Sequence, residues 1–391
     1  MRHLYGLDLV RFASALMVLV FHLSTFNIAT PGYFAEPDDR AFGWLSYVGA
    51  GGWVGVEIFF VISGFVIAAS AEKATAKDFL FRRGIRVFPA LWICSLIALS
   101  VQLLWGTPVG ETVAAFARSI ILSPQGPYID GVVWTLVVEA VFYILIAGLI
   151  LLGHRLGRSV LDVGGLVLGV SSAAFIAGYF IVDALGTTVA GINVSNTMQR
   201  FPFSVALLWH GVFFALGMLI RKAAARALSG PEKVAAGLFF VSCLAEITHR
   251  SLSSYDVIPN QGLALGAAIG LWLAGLAAIL YSIFHGTAFE RVGGKALIKQ
   301  AGLMTYPLYL NHFTFGMFLT PWLAQFIDSP ALLLLAVLAI VFTSSWLIMM
   351  GPERWLQAAG KKLLFRPRSA ELLGLPQPRW REQVERAKDA A

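Results

Sequence analysis

Long runs of apolar residues are the feature that most limits how this chain can fold. A helix needs about 20 mostly apolar residues to cross a bilayer. Ten runs approach that length, and they lie at residues 7–27, 52–71, 86–105, 132–152, 160–182, 201–220, 233–250, 262–284, 302–323 and 331–350. Their residues do not alternate as in a barrel strand, so we expect helices. The predicted fold class is an all-α polytopic membrane protein with about ten transmembrane helices.

Composition excludes several other classes of protein. Of the 391 residues, 58% are hydrophobic and 13% are charged, whereas about a quarter are charged in soluble proteins. This balance excludes a soluble enzyme, a disordered protein and a nucleic-acid binder, and it makes the lipid bilayer the first expected partner. The two cysteines, Cys94 and Cys243, lie in separate apolar runs. Their separation fits neither a disulfide framework nor a metal site, and we expect no bound metal.

The distribution of basic residues predicts how the chain is oriented. Lys and Arg concentrate on the cytoplasmic side of membrane proteins. With the N-terminus in the cytoplasm, 24 of the 29 Lys and Arg residues fall in inside segments, four fall outside and Arg11 lies within a span. We therefore predict that both termini are cytoplasmic. The predicted domains are a transmembrane domain at 1–352 and a basic cytoplasmic tail at 353–391, which is amphipathic or disordered.

Ionisable residues within the apolar runs are candidates for function, because a charge inside a membrane is costly. They are Asp8, Arg11, His22, Glu57, Glu139, His210 and His312. Arg11 and His22 are separated by about 16 Å of helical rise and nearly three full turns, so both project from one face. That face can line a passage with a cation at its inner end and an imidazole nearer its outer end.

The two glutamates are predicted to share a layer near the outer surface. In the predicted orientation, Glu57 and Glu139 each lie roughly 8–10 Å below that surface, at a depth similar to that of His22. A carboxylate can orient an imidazole and stabilise its charged form. Glu139 is therefore a candidate to orient His22.

Each of these residues also has a structural interpretation, which the sequence leaves open. The structural roles are an ion pair for Asp8 and Arg11, an interhelical donor for His22, contact with headgroups for Glu57, and core packing for His210. His312 follows Pro307, which kinks its helix and frees backbone carbonyls. The polar residues around this kink form either a site or a structural knot.

Three arginines precede the third run on the predicted inner side of the membrane: Arg82, Arg83 and Arg86. Arg83 and Arg86 share one helix face because they are three residues apart. Forked guanidinium groups suit phosphate oxygens, which indicates a phosphorylated cytoplasmic ligand. Ordinary positive-inside charge is the alternative.

Five patches together resemble the integral-membrane acyltransferase family 3, which includes bacterial O-acetyltransferases of surface carbohydrates. The patches are residues 7–12 with the Arg11-x10-His22 spacing, residues 55–65, the pair Arg83 and Arg86 before Pro89, residues 134–143 and residues 306–312. The chain departs from the family pattern at two positions, because Thr135 stands where Ser is frequent and Ala140 where a second Glu is frequent.

The resemblance implies transfer of an acyl group, usually acetyl, from cytoplasmic acyl-CoA to a hydroxyl of a carbohydrate or macrolide-like acceptor. It also implies a multi-pass protein of the bacterial inner membrane. Acyl-CoA would bind at Arg82, Arg83 and Arg86, with Arg11 at the same inner mouth. The implied catalytic residues are His22, as general base or acyl carrier, with Glu139 and Arg11. The implied substrate-positioning residues are Asp8, Glu57, Ser63, Tyr309 and His312.

Two other functions remain open from the sequence. Polar groups within the membrane and a helix kinked at Pro307 also suit a transporter or flippase of a lipid-linked sugar, although no inverted repeat is visible. A scaffold role among other envelope-biosynthesis proteins is the third possibility. In that case only packing would matter, and removal of the charges of His22 and Glu139 would be harmless.

Overall fold

The structure, a computed structural model, describes residues 3–26, 45, 49–157, 159–253, 261–286 and 294–364. These residues are almost entirely helical, which confirms the predicted all-α class. The helices are α1 (Tyr5–Phe21), α2 (Gly55–Ala71), α3 (Ala76–Leu104), α4 (Val109–Ile120), α5 (Val133–Leu156), α6 (Leu161–Ala184), α7 (Val194–Met198), α8 (Phe201–Val205), α9 (Gly211–Ala225), α10 (Gly230–Ser253), α11 (Gln261–Phe284), α12 (Lys295–Asn311), α13 (Thr314–Ala324), α14 (Pro330–Met350) and α15 (Pro352–Leu364). A short antiparallel hairpin pairs β1 (Thr188–Val189) with β2 (Ile192–Asn193).

Seven helical segments of the described chain are long and apolar enough to cross a membrane. They are Tyr5–Ser24, Gly52–Ala71, Ala76–Leu104, Val133–Leu156, Leu161–Ala184, Gly262–Phe284 and Pro330–Lys362. The chain is therefore a multi-pass membrane protein. The total of ten spans and the cytoplasmic location of both termini stay predictions.

The three other predicted runs differ from the seven in length, continuity or charge. Run 201–220 contains the short helix α8, a turn and then α9, which has 15 residues. Run 233–250 lies within α10, whose ends carry charged groups such as Glu232 and Arg250. Run 302–323 is divided between α12 and α13, because the helix ends at Asn311 and the next begins at Thr314.

Helices α2 and α9 pack with their backbones in contact. A Cβ atom at Gly64 would lie 2.1 Å from the carbonyl oxygen of Phe214, and one at Gly217 would lie 2.1 Å from that of Val61. Small residues permit this approach, which is a common way for membrane helices to gain packing energy. Beside the contact, the ring of Phe214 stacks on Phe142 of α5 with a 4.2 Å separation. These contacts fix α2 against α5 and α9.

The beginning of the predicted tail is ordered. Residues 352–364 form α15, which is adjacent to α3, and Glu353 in its first turn is buried. Residues 365–391 of the predicted tail lie outside the described residues, as do four arginines of the orientation count, Arg2, Arg40, Arg158 and Arg291.

Candidate active site

A cavity of about 350 Å³ lies between α1, α2, α3, α5 and α12. Four cationic side chains line it, and they are Arg11, Arg83, Arg86 and Lys299. Two carboxylates, Asp8 and Glu139, line it as well. The rest of the wall is mainly aromatic and aliphatic. Such a space suits a ligand that has an anionic part and an extended apolar part.

The sequence prediction that Arg11, Arg83 and Arg86 lie close together agrees with this geometry, although they come from two helices. Lys299 of α12 was counted in the sequence only as positive-inside charge. The side chain of Arg82 does not line the cavity. It is exposed, and its Nε–H donates to the carbonyl oxygen of Asp78 in its own helix at 3.3 Å.

Arg83 is held in place by its neighbours. Its Nη2 donates to Oγ of Ser70 at 2.6 Å. Its guanidinium carbon lies 5.6 Å from the ring centroid of Phe79 and 5.9 Å from that of Tyr143. Its Nε is buried and has no hydrogen-bond partner among the described residues. A fixed guanidinium with an unused donor is suited to bind a phosphate oxygen.

Asp8 and Arg11 form the pair that their three-residue spacing allows. Nη1 of Arg11 lies 3.6 Å from Oδ1 of Asp8, and Nε2 of His3 lies 2.6 Å from Oδ2. All three residues line the cavity. Asp8 and Arg11 therefore form an ion pair, and both side chains can still contact a ligand in the cavity.

The structure does not pair Glu139 with His22. Instead, Oγ–H of Ser63 donates to Oε1 of Glu139 at 2.6 Å, and both residues line the cavity. Ser63 follows Glu57 by six residues in α2, which is about 9 Å of rise, so the two glutamates do not share one layer. The depth prediction was therefore wrong for this pair. It counted residues along each helix separately, whereas the contact between Ser63 and Glu139 depends on how α2 and α5 pack.

His22 is paired with His312. Nδ1 of His22 lies 2.9 Å from Nε2 of His312. Nδ1 of His312 lies 2.8 Å from the carbonyl oxygen of Tyr309 and 3.2 Å from that of Leu308. A carbonyl oxygen only accepts, so Nδ1 of His312 carries its proton. In the neutral pair, Nε2 of His312 then accepts from Nδ1–H of His22, which places the lone pair of His22 on Nε2.

The end of α12 builds this arrangement. The helix ends at Asn311, and the last carbonyl groups of a helix have no partner within it. The carbonyl oxygen of Tyr309 is therefore available to the His312 ring. Tyr309 also lines the cavity, and its Oη lies 3.0 Å from Oγ of Thr135. Its ring is 5.7 Å from that of His312, so Tyr309 contacts both the cavity and the histidine pair.

Asp130 is a buried carboxylate beside the segment that follows His312, and the sequence analysis did not single it out. Its carboxylate accepts from the backbone N–H groups of Val132 and Thr314, both at 3.0 Å. It thereby joins the start of α5 to the start of α13, two residues after His312. Burial raises the pKa of Asp130 to about 6, and the two N–H donors oppose that shift. No local pattern distinguishes this aspartate, because its partner is far away in the sequence.

Glu57 lies in a different cluster. It is fully buried, and its Oε1 accepts from Nη1 of Arg250 at 2.9 Å. It does not line the cavity. The predicted role of Glu57 in positioning substrate and the alternative of contact with headgroups therefore both lack a geometric basis. His210 and Glu246 complete this second cluster.

Comparison with known proteins finds a family model and two named relatives. A family model described as "Acyltransferase domain" matches residues 4–350. An "O-acetyl transferase" of Shigella phage Sf6 is 33% identical over 158 residues, covering 35% of this chain and 43% of that protein. "Nodulation protein 10" of Rhizobium leguminosarum bv. viciae is 27% identical over 185 residues, covering 40% of this chain and 49% of that protein.

The matched segments span less than half the length of either curated relative. No solved structure matches the chain. The family match nevertheless covers nearly all of the described residues, including every residue of the cavity except His3. The resemblance found in the sequence is thus confirmed, and the chain belongs to the integral-membrane acyltransferase family 3.

Proposed function

We propose that the protein is an O-acyltransferase that moves an acyl group, in the first instance acetyl, from cytoplasmic acyl-CoA to an acceptor hydroxyl. The observation that carries this proposal is the cavity with four cations, in a chain that belongs to an acyltransferase family. CoA combines an anionic phosphate end with a slim, uncharged pantetheine arm, which matches the cationic and the uncharged parts of the cavity wall.

The phosphates of the donor bind to Arg83, Arg86 and Lys299. Phosphates favour guanidinium groups because two parallel N–H donors meet two oxygens. Arg11 adds positive charge to the same cavity, and Asp8 balances that charge. The pantetheine arm then extends along the cavity toward Tyr309, which brings the thioester near the histidine pair.

His22 acts as the general base. Its Nε2 removes the proton of the acceptor hydroxyl as the oxygen attacks the thioester carbon. The new O–C bond forms, the C–S bond breaks, and the leaving thiolate takes the proton from the imidazolium. His312 is a positioning residue in this scheme, because its contact with the carbonyl of Tyr309 selects the tautomer of His22.

Glu139 has a different role from the one expected from sequence. It is a carboxylate within a cationic cavity, and it holds the hydroxyl of Ser63. We assign it to organising the cavity wall near the thioester. Ser63 and Tyr309 are the residues best placed to position the acyl group, since both line the cavity.

The acceptor class rests on the relatives. One relative carries the name "O-acetyl transferase" and the other "Nodulation protein 10", and a carbohydrate or macrolide-like hydroxyl fits the family. We place the protein in the bacterial inner membrane with both termini cytoplasmic, where it acts with other envelope-biosynthesis proteins. In this orientation, acyl-CoA enters the cavity from the cytoplasm.

Radiolabelled acetyl-CoA supplied to the purified protein in proteoliposomes tests this function. Oligosaccharides from the envelope of the native host serve as acceptors, on either side of the membrane. Label on the acceptor, lost in His22→Ala, is the expected result. Movement of the oligosaccharide across the membrane without label would instead favour the transporter, which the polar groups within the membrane and Pro307 inside α12 also suit.

A further inference from the structure

The second cluster of buried ionisable groups has the composition of a metal site. Glu57 of α2, His210 just before α9 and Glu246 of α10 each offer one ligand atom, and these atoms lie within 4.8 Å of one another. All three side chains are buried. We propose that this cluster binds a divalent cation such as Zn²⁺ or Mn²⁺, which accept carboxylate and imidazole ligands.

Unsatisfied atoms are the first observation that points to a ligand. Oε2 of Glu57, Oε2 of Glu246 and both ring nitrogens of His210 are buried and have no hydrogen-bond partner in the described part of the chain. A buried polar group without a partner destabilises the folded protein. Such groups are rare in native proteins, so several that converge on one point require an explanation. A cation between these side chains would accept lone pairs from the carboxylate oxygens and from one imidazole nitrogen.

The charges of the cluster are the second observation. Nη1 of Arg250 lies 2.9 Å from Oε1 of Glu57, and Nε of Arg250 lies 3.5 Å from Oε1 of Glu246. Two carboxylates therefore share one guanidinium, so with both ionised the cluster would carry excess negative charge in a buried place, where it is costly. Arg250 uses Oε1 of each carboxylate, so Oε2 of each remains for a metal. The guanidinium then acts as an outer-shell partner that orients both ligands.

The distances require only a small closure around the ion. Bonds of about 2.0–2.2 Å from Zn²⁺ to oxygen and nitrogen place its ligands roughly 3.0–3.6 Å apart. Nδ1 of His210 and Oε1 of Glu246 are 4.0 Å apart. The ligand atoms of the three residues lie within 4.8 Å of one another, so side-chain adjustments of about 1 Å bring them to that spacing, and water supplies the remaining ligand.

The cation would stabilise one wall of the cavity described above. The ring of His210 lies 5.2 Å from that of Phe60 and 5.5 Å from that of Trp134. Phe60 also lines the cavity. A metal that ties α2, α9 and α10 together therefore stabilises one side of that cavity without touching substrate. This inference does not depend on the proposed function.

Metal analysis of the purified full-length protein tests the site. The protein is stripped with a chelator, incubated with ZnCl₂ or MnCl₂, desalted and measured by elemental mass spectrometry. We expect about one equivalent per chain and a higher melting temperature, as for any ligand that binds the folded state. His210→Phe and Glu246→Gln should each weaken binding at least about tenfold. His249→Phe is the matched control and should bind as the wild type does.

Wild-type protein alone keeps the proposal falsifiable if the variants misfold. Pulsed electron paramagnetic resonance of the Mn²⁺-loaded protein should detect one coupled imidazole nitrogen. The proposal is overturned if the wild type takes up no cation and its melting temperature is unchanged by the chelator. Protonation of a carboxylate would then account for the cluster. Equal metal content in the wild type and in a folded His210→Phe protein would overturn it as well.

Discussion

Replacement of Arg83 by alanine should weaken acyl-CoA binding far more than the same change at the adjacent Arg82. Arg83 lines the cavity and has a buried Nε without a partner among the described residues, whereas Arg82 is exposed outside it. A charge-assisted hydrogen bond contributes about 1.5–3 kcal/mol, which converts to roughly a 10- to 150-fold change in Kd. An exposed side chain away from the ligand changes the energy by less than about 0.5 kcal/mol, or roughly twofold.

The assay is equilibrium binding of radiolabelled acetyl-CoA to the protein in nanodiscs. Arg83→Gln serves as a second variant, because it keeps a side chain against Phe79 and Tyr143 while it removes the charge. Melting temperatures show whether each variant is folded. If Arg82→Ala and Arg83→Ala weaken binding equally, the cavity does not hold the phosphates and the reasoning from its geometry fails.

Three further predictions follow from the same contacts. His312→Phe should lower the acyl-transfer rate by roughly 10²–10⁴-fold while the Kd for acetyl-CoA stays unchanged. His312→Gln restores a hydrogen-bond acceptor and should recover part of the rate. A loss confined to acetyl-CoA binding would contradict the positioning role. Gly64→Ala should lower the melting temperature, since the new Cβ would lie 2.1 Å from the carbonyl oxygen of Phe214, whereas Gly178→Ala, with open space around it, should not; equal melting temperatures would argue against this helix contact. Asp130, with a pKa raised from 3.8 to about 6, binds its proton more tightly in the folded state, so its contribution to stability is present below pH 3.8 and is lost as the pH rises through 6. The loss is about 3 kcal/mol, and the difference in melting temperature between the wild type and Asp130→Asn should change between pH 4 and 6; a difference that is constant with pH would refute this assignment.

The helical class and the cationic mouth were predictable from sequence because they depend on local features. Apolar runs report helices directly, and the three-residue spacing of Arg83 and Arg86 sets their common face. Arg11 and His22 were placed on one stripe by the same arithmetic. Of the two, only Arg11 lines the cavity, and His22 instead contacts His312.

The partners of the buried groups were not predictable, because they depend on how distant helices pack. Their similar predicted depths in the membrane suggested that Glu139 lies beside His22. The actual partners are Ser63 for Glu139 and His312 for His22, and both contacts join segments that are far apart in the sequence. Lys299 gave no signal either, since a lysine on the predicted inner side is expected in any membrane protein.

A cryo-electron microscopy structure with bound acetyl-CoA is the most direct test of the central claim. The account predicts CoA phosphates within hydrogen-bond distance of Arg83 and Arg86, and a thioester that passes Tyr309 toward Nε2 of His22. Density for CoA at another surface, or a thioester directed away from the histidine pair, would contradict it.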